Sequence, residues 1–73
     1  MWDRIEANWQ LLRALARQKW GRLTDAQFEM IAGKRDRLLA TLQAEYGISN
    51  AEAELEMQEW EAIVRGWEQR QRG

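Results

Sequence analysis

The chain has 73 residues, with no cysteine, histidine or proline, and its formal net charge is −1. This composition excludes disulfides and the usual zinc sites, removes the commonest acid–base residue, and lacks the basic balance of a dedicated nucleic-acid binder. A chain of this length forms one domain at most, with about 3–5 kcal/mol of net stability from its core. The remaining sources of stability are self-association and tight helix packing, to which five tryptophans would contribute.

The first predicted helix runs from about residue 2 to residue 19. Its apolar residues recur at steps of three and four, which places them on one helical face. They are Trp2, Ile5, Trp9, Leu12 and Ala16. Gly21 is expected to end this helix in the left-handed conformation that glycine adopts easily.

The second predicted helix spans about residues 25–32. Thr24 and Gln27 have the spacing of a capping box, in which each side chain bonds the backbone N–H of the other residue. Leu23 and Phe28 occupy the two positions of a hydrophobic staple around the same cap. The helix is short because Gly33 follows.

The third and fourth predicted helices span about residues 34–46 and 50–70. Gly47 is expected to end the third, and Ser49 and Glu52 form a second capping box that begins the fourth. The inward face of the fourth helix is predicted from its spacing as Ala53, Met57, Trp60, Val64 and Trp67. The sequence therefore predicts a single all-α domain, a compact bundle of about four helices joined by short connections.

Several blocks of residues follow one another at characteristic spacing within residues 2–61: Asn8-Trp9, Trp20-Gly21, Leu23-Thr24-Asp25, Ile31 to Asp36, Leu38, Gln43, Tyr46-Gly47, Ala53 and Trp60-Glu61. Together these blocks resemble the CsbD-like family of small bacterial proteins. The resemblance implies two roughly orthogonal helical hairpins, related in shape to SAM-like and helix-hairpin-helix domains. It also implies a bacterial, cytoplasmic, general-stress protein from an uncharacterised family with no assigned catalytic residues.

Gly33-Lys34-Arg35 is a candidate contact for an anion or a nucleic acid, because a helix start offers free N–H groups beside two cations. Arg17 and Lys19 could extend this basic surface, since residues 1–24 carry five cations against two carboxylates. The alternative interpretation is a plain helix junction with solvated cations, and short basic motifs often arise by chance.

Trp2 and Trp67 form a candidate interaction patch, because each lies near a terminus, where complete burial is difficult. If both are exposed near one another, they would suit a protein partner or a second copy of the chain. Trp9, Trp20 and Trp60 are instead predicted to lie in the core.

The sequence predicts no catalytic, metal-binding or cofactor-binding residue and no small-molecule substrate. Thr24 and Ser49 are used in caps, and the glutamates of the last helix are typical of a solvated face. No apolar run resembles a signal peptide or is long enough to span a bilayer, so we expect a cytoplasmic protein without membrane contact. Its function is predicted as protein interaction or self-association, with weak non-specific nucleic-acid binding as the alternative.

Overall fold

Five helical segments make up the computed structural model of the protein, which describes residues 1–72. They are α1 (Trp2–Ala7), α2 (Trp9–Lys19), α3 (Asp25–Ile31), α4 (Arg35–Tyr46) and α5 (Asn50–Arg72). Sequential helices pack on each other where the connections are short, and α2 also packs on α5 to close the bundle. Residues 1–72 contain no strand, so the all-α prediction is confirmed.

A break at Asn8 divides the predicted first helix. The sequence predicts one helix over residues 2–19, whereas Asn8 has φ −112° and ψ 24° and separates α1 from α2. Its side-chain Nδ2 donates to the carbonyl oxygen of Arg4 at 2.9 Å. The Asn8 backbone amide donates to the same carbonyl at 3.0 Å, so this oxygen accepts two bonds from Asn8 at the end of α1. The prediction of one helix was therefore wrong, and the bundle has five segments rather than about four.

Both predicted capping boxes are confirmed. The Gln27 amide donates to Thr24 Oγ1 at 3.1 Å, and the Thr24 amide donates to Gln27 Oε1 at 2.8 Å. The Glu52 amide donates to Ser49 Oγ at 3.1 Å, and the Ser49 amide donates to Glu52 Oε1 at 3.0 Å. The bond from the Ser49 backbone, with that from its side chain, lowers the pKa of the Glu52 carboxyl.

The helix ends differ more from prediction than the starts. Gly47 ends α4 in the left-handed region with φ 61°, as predicted. Gly21 does not adopt that conformation, because α2 already ends at Trp20 with φ −121° and ψ 66°. Ala32, predicted as helical, is itself left-handed with φ 52° and ends α3 one residue early.

Replacing Thr24 by alanine is expected to lower the free energy of unfolding by about 1 kcal/mol, because the first turn of α3 loses its cap. Urea denaturation of the parent and the variant measures this difference. Thr41→Ala is the matched control. Its hydroxyl only donates back to the Arg37 carbonyl within α4, so its effect should stay within about 0.5 kcal/mol. Equal losses in the two variants would contradict the role of the cap.

Four indole rings meet at the centre of the bundle and form the tryptophan cluster, defined as Trp2, Trp9, Trp20 and Trp60. The Trp60 ring centroid lies 5.8 Å from that of Trp2, 6.3 Å from that of Trp9 and 5.7 Å from that of Trp20. The predicted inward residues of α5 from Ala53 to Val64 are fully buried around this cluster. The predicted core positions of Trp9, Trp20 and Trp60 are also confirmed.

Candidate functional site

The backbone of the Gly33 junction packs directly on α1. Gly33 has φ 78°, and a Cβ atom placed on it would lie 2.6 Å from the Glu6 Cα and 3.2 Å from the Glu6 amide nitrogen. The following amide, that of Lys34, donates to the Ile31 carbonyl at 2.9 Å. The glycine is therefore required by a close approach between two segments of backbone.

The two cations of this junction are paired with carboxylates on other helices. Lys34 Nζ lies 2.6 Å from Glu6 Oε2 on α1. Arg35 Nη2 lies 2.8 Å from Glu54 Oε2, and Arg35 Nε lies 4.0 Å from Glu61 Oε2, both on α5. The hydrogen bond from Arg35 lowers the pKa of the Glu54 carboxyl, and the same bond raises the pKa of Arg35.

Arg17 and Lys19 are paired in the same manner. Arg17 bonds Asp25 at the start of α3. Lys19 Nζ lies 2.8 Å from Glu59 Oε1 and 3.6 Å from Glu56 Oε1 on α5. Burial alone would lower the pKa of Lys19, but the hydrogen bond to Glu59 and the charges of both glutamates outweigh it and raise that pKa.

The four cations predicted as anion contacts therefore pair with carboxylates on different helices. Lys34 pairs with a carboxylate of α1, Arg17 with one of α3, and Arg35 and Lys19 with carboxylates of α5. The α5 carboxylates at positions 54 and 56 are two residues apart, so they lie on different faces of the helix and do not bring their cations together. A phosphate would have to compete with a carboxylate at each of these cations.

Trp2 and Trp67 are both half-buried and packed against the core. The Trp2 ring lies on Trp60, and its Nε1 donates to Glu61 Oε2 at 2.7 Å. Trp67 follows Trp60 by seven residues and so lies two turns further along the same face of α5. Ile63, 43% exposed, precedes Trp67 by four residues and is its neighbour on the helix surface.

Other exposed apolar side chains were not singled out from the sequence. Leu11, Met30 and Leu55 are 59%, 73% and 60% exposed. Leu11 and Met30 lie inside apolar patterns, so spacing alone did not separate them from core residues. A groove of about 280 Å³, lined in part by Trp20, Tyr46 and Ile48, was also missed, because its walls come from three separate parts of the chain.

The hydroxyl groups of Thr24, Ser49 and Thr41 serve local structure. Thr24 and Ser49 are held in their caps, and Thr41 Oγ1 donates to the Arg37 carbonyl at 2.8 Å. Within residues 1–72, no three histidine, cysteine, aspartate or glutamate side chains are grouped so as to hold a metal ion. None of the helices described is both long and apolar enough to cross a membrane.

Comparison with known proteins gives relatives across most of the chain. The chain is 39% identical to the UPF0337 protein ECA0631 of Pectobacterium atrosepticum over 59 residues, which cover 81% of this chain and 86% of that protein. It is 37% identical, with the same coverage, to the UPF0337 protein YjbJ of Escherichia coli K12. It is also 37% identical to the UPF0337 protein pc0632 of Protochlamydia amoebophila, over 81% of this chain and 89% of that protein. No family model matches the chain, and no solved structure matches it significantly.

Proposed function

The chain belongs to the UPF0337 family, and we propose that it is a CsbD-like stress-response protein that acts by binding rather than by chemistry. The names of its relatives assign them no enzymatic activity. The cytoplasmic location and the link to general stress come from the resemblance to CsbD-like proteins and are part of this proposal. The binding partner is a protein surface, with a second copy of the chain as the first candidate.

The observation that carries this proposal is the apolar strip, defined as Ile63 and Trp67 on α5. Ile63 is 43% exposed, and the Trp67 ring beside it is only half-buried. Exposed apolar surface of this kind is a common feature of sites where proteins associate. Self-association would also supplement the small core of so short a chain.

Sedimentation velocity over a concentration series tests whether the chain self-associates through the apolar strip. We expect a dimer to form as concentration rises, and Ile63→Glu to weaken it about tenfold, or roughly 1.4 kcal/mol, by placing a charge in an apolar contact. Leu55→Glu is the matched control, because Leu55 lies on the same helix and is 60% exposed but falls outside the strip. A parent chain that stays monomeric at every concentration, or equal effects of the two variants, would contradict self-association through the strip.

Nucleic-acid binding through Gly33, Lys34, Arg35, Arg17 and Lys19 remains the alternative. It has less support, because the four cations are already paired with carboxylates. A titration with duplex DNA at low salt, run alongside the sedimentation series, separates the two functions. Binding that weakens steeply with salt and is lost in the Lys34→Glu/Arg35→Glu double variant would favour the alternative.

A further inference from the structure

We propose that the tryptophan cluster conducts an oxidising hole, the vacancy left when one electron is removed, from buried rings through Trp60 to Trp2 at the surface. This would make the protein a one-electron relay that directs oxidative damage away from its core. The inference is independent of the self-association described above. It rests on the ring contacts, on the hydrogen-bond partners of the four indoles and on one neighbouring cation.

The contacts give a continuous path with Trp60 at its centre. The other three rings of the cluster lie with centroids 5.7–6.3 Å from the Trp60 centroid, which is the range of aromatic pairs in contact. Electron transfer between identical groups in contact is nearly neutral in free energy. Water is also excluded around Trp60, which is 0% exposed, so little solvent must rearrange as the hole moves.

The indole N–H partners determine where a hole can stop. An oxidised indole is far more acidic than the neutral ring, and losing its N–H proton to a base traps the hole as a neutral radical. Trp60 Nε1 has no acceptor among residues 1–72, and Trp9 Nε1 donates to the Phe28 carbonyl, which is too weak a base to take the proton. A hole on either ring therefore stays mobile.

Two rings of the cluster donate instead to carboxylates, which are suitable bases. Trp2 Nε1 lies 2.7 Å from Glu61 Oε2, and Trp20 Nε1 lies 3.0 Å from Glu56 Oε1. The hole can be trapped by proton transfer at these two ends of the path.

A cation distinguishes the two ends. Lys19 Nζ lies 5.9 Å from the Trp20 ring centroid and 3.6 Å from Glu56 Oε1. Its positive charge disfavours a positive hole on Trp20, whereas no cation of residues 1–72 is placed over the Trp2 ring. The two carboxylates themselves are alike, because Lys19 bonds Glu59 at 2.8 Å and Arg35 bonds Glu54 at 2.8 Å. Trp2 is therefore the preferred endpoint.

The complete cycle balances with an oxidant and a reductant from solution. A one-electron oxidant, such as a carbonate radical, removes an electron from a ring of the cluster, and the hole reaches Trp2. The Trp2 N–H bond then breaks and its proton binds Glu61 Oε2, leaving a neutral indole radical. A thiolate from solution supplies one electron, and the proton returns from Glu61 to the indole nitrogen. The net change is transfer of one electron from thiolate to oxidant.

A photo-oxidant attached beside Trp20 tests the path in the full chain. The protein has no cysteine, so a single introduced cysteine is the unique attachment point. Gly21→Cys suits this purpose, because a Cβ there meets the Arg17 carbonyl oxygen at 3.8 Å, an ordinary contact. A ruthenium polypyridyl label on this cysteine, with an electron acceptor in solution, generates holes next to Trp20. Peptide mass spectrometry in air then shows which tryptophans become oxidised.

Oxidation at Trp2 is expected to exceed that at Trp67 at least fivefold. Trp67 is the matched control, because it is also half-buried but is not among the rings in contact with Trp60 described above. Trp60→Phe keeps an aromatic ring that is much harder to oxidise, so it should reduce Trp2 oxidation to the Trp67 level. Equal oxidation of Trp2 and Trp67 in the labelled parent, or unchanged Trp2 oxidation in a folded Trp60→Phe variant, would overturn the proposal.

Glu61→Gln gives a second, independent readout that does not remove a ring. Transient absorption distinguishes the neutral indole radical from its cation. Combined with Glu56→Gln, which removes the acceptor of Trp20 as well, the variant should prolong the cation at least tenfold, because neither end of the path can then take the proton. Unchanged radical decay would overturn the proposal even if Trp60→Phe failed to fold, as judged by circular dichroism.

Discussion

Replacing Gly33 by alanine is expected to lower the free energy of unfolding by about 3 kcal/mol. A left-handed backbone costs an alanine about 1–2 kcal/mol, and forcing extra volume into a packed contact costs about 1–3 kcal/mol. The new Cβ would lie 2.6 Å from the Glu6 Cα, so α1 must move away. Urea denaturation measures the loss, which removes most of the roughly 3–5 kcal/mol available to so small a core.

The Gly47→Ala variant separates the cost of the left-handed backbone from the cost of the close contact with α1. Gly47 has a similar left-handed φ of 61°, but no atom of residues 1–72 apart from its chain neighbours would lie within 4 Å of its Cβ. This variant should lose only the conformational part, about 1 kcal/mol. If Gly33→Ala and Gly47→Ala were equally destabilising, the contact with α1 would contribute nothing.

Replacing Trp60 by alanine is expected to cost about 3–5 kcal/mol, the range for truncating a large core side chain. Trp60 is fully buried and contacts three other indoles, so the surrounding rings cannot collapse into the space without losing contacts with each other. At the upper end of this range the domain would be mainly unfolded. Thermal and urea denaturation, followed by circular dichroism, measure the loss.

Leu55→Ala on the same helix is the control for Trp60. Leu55 is 60% exposed, so its truncation should change the free energy of unfolding by no more than about 0.5 kcal/mol. A Trp60→Ala variant that loses less than 1 kcal/mol would contradict the central place of this ring.

Local signals predicted much of the fold. A capping box needs only residues three apart, so Thr24 and Ser49 identified the starts of α3 and α5. The spacing of the apolar residues in α5 was enough to predict its inward face. Residues three and four apart lie on the same side of a helix, so they are buried together when that side faces the core. The break at Asn8 was missed because asparagine disfavours helix only weakly, and the apolar spacing on both sides of it favours one continuous helix.

The candidate site depended on contacts between distant parts of the chain. Sequence analysis marked Gly33 as a junction, but only its approach to Glu6, 27 positions away, shows why a side chain is excluded. The same limit applies to Lys34 and Arg35, whose carboxylate partners lie on α1 and α5. The sequence suggested a basic surface because these cations are close together along the chain. In the structure each of them lies beside a carboxylate from another helix, so the pairs are neutral.

The pairing of cations on one helix with carboxylates on another also affects how this protein can diverge. A charge reversal at Arg35, for example, would leave Glu54 facing a like charge, while a compensating reversal at Glu54 would restore the attraction. Each such exchange passes through a less favourable single change. We therefore expect relatives to differ at these positions by coordinated swaps, so that covariation between paired sites would record which helices are neighbours.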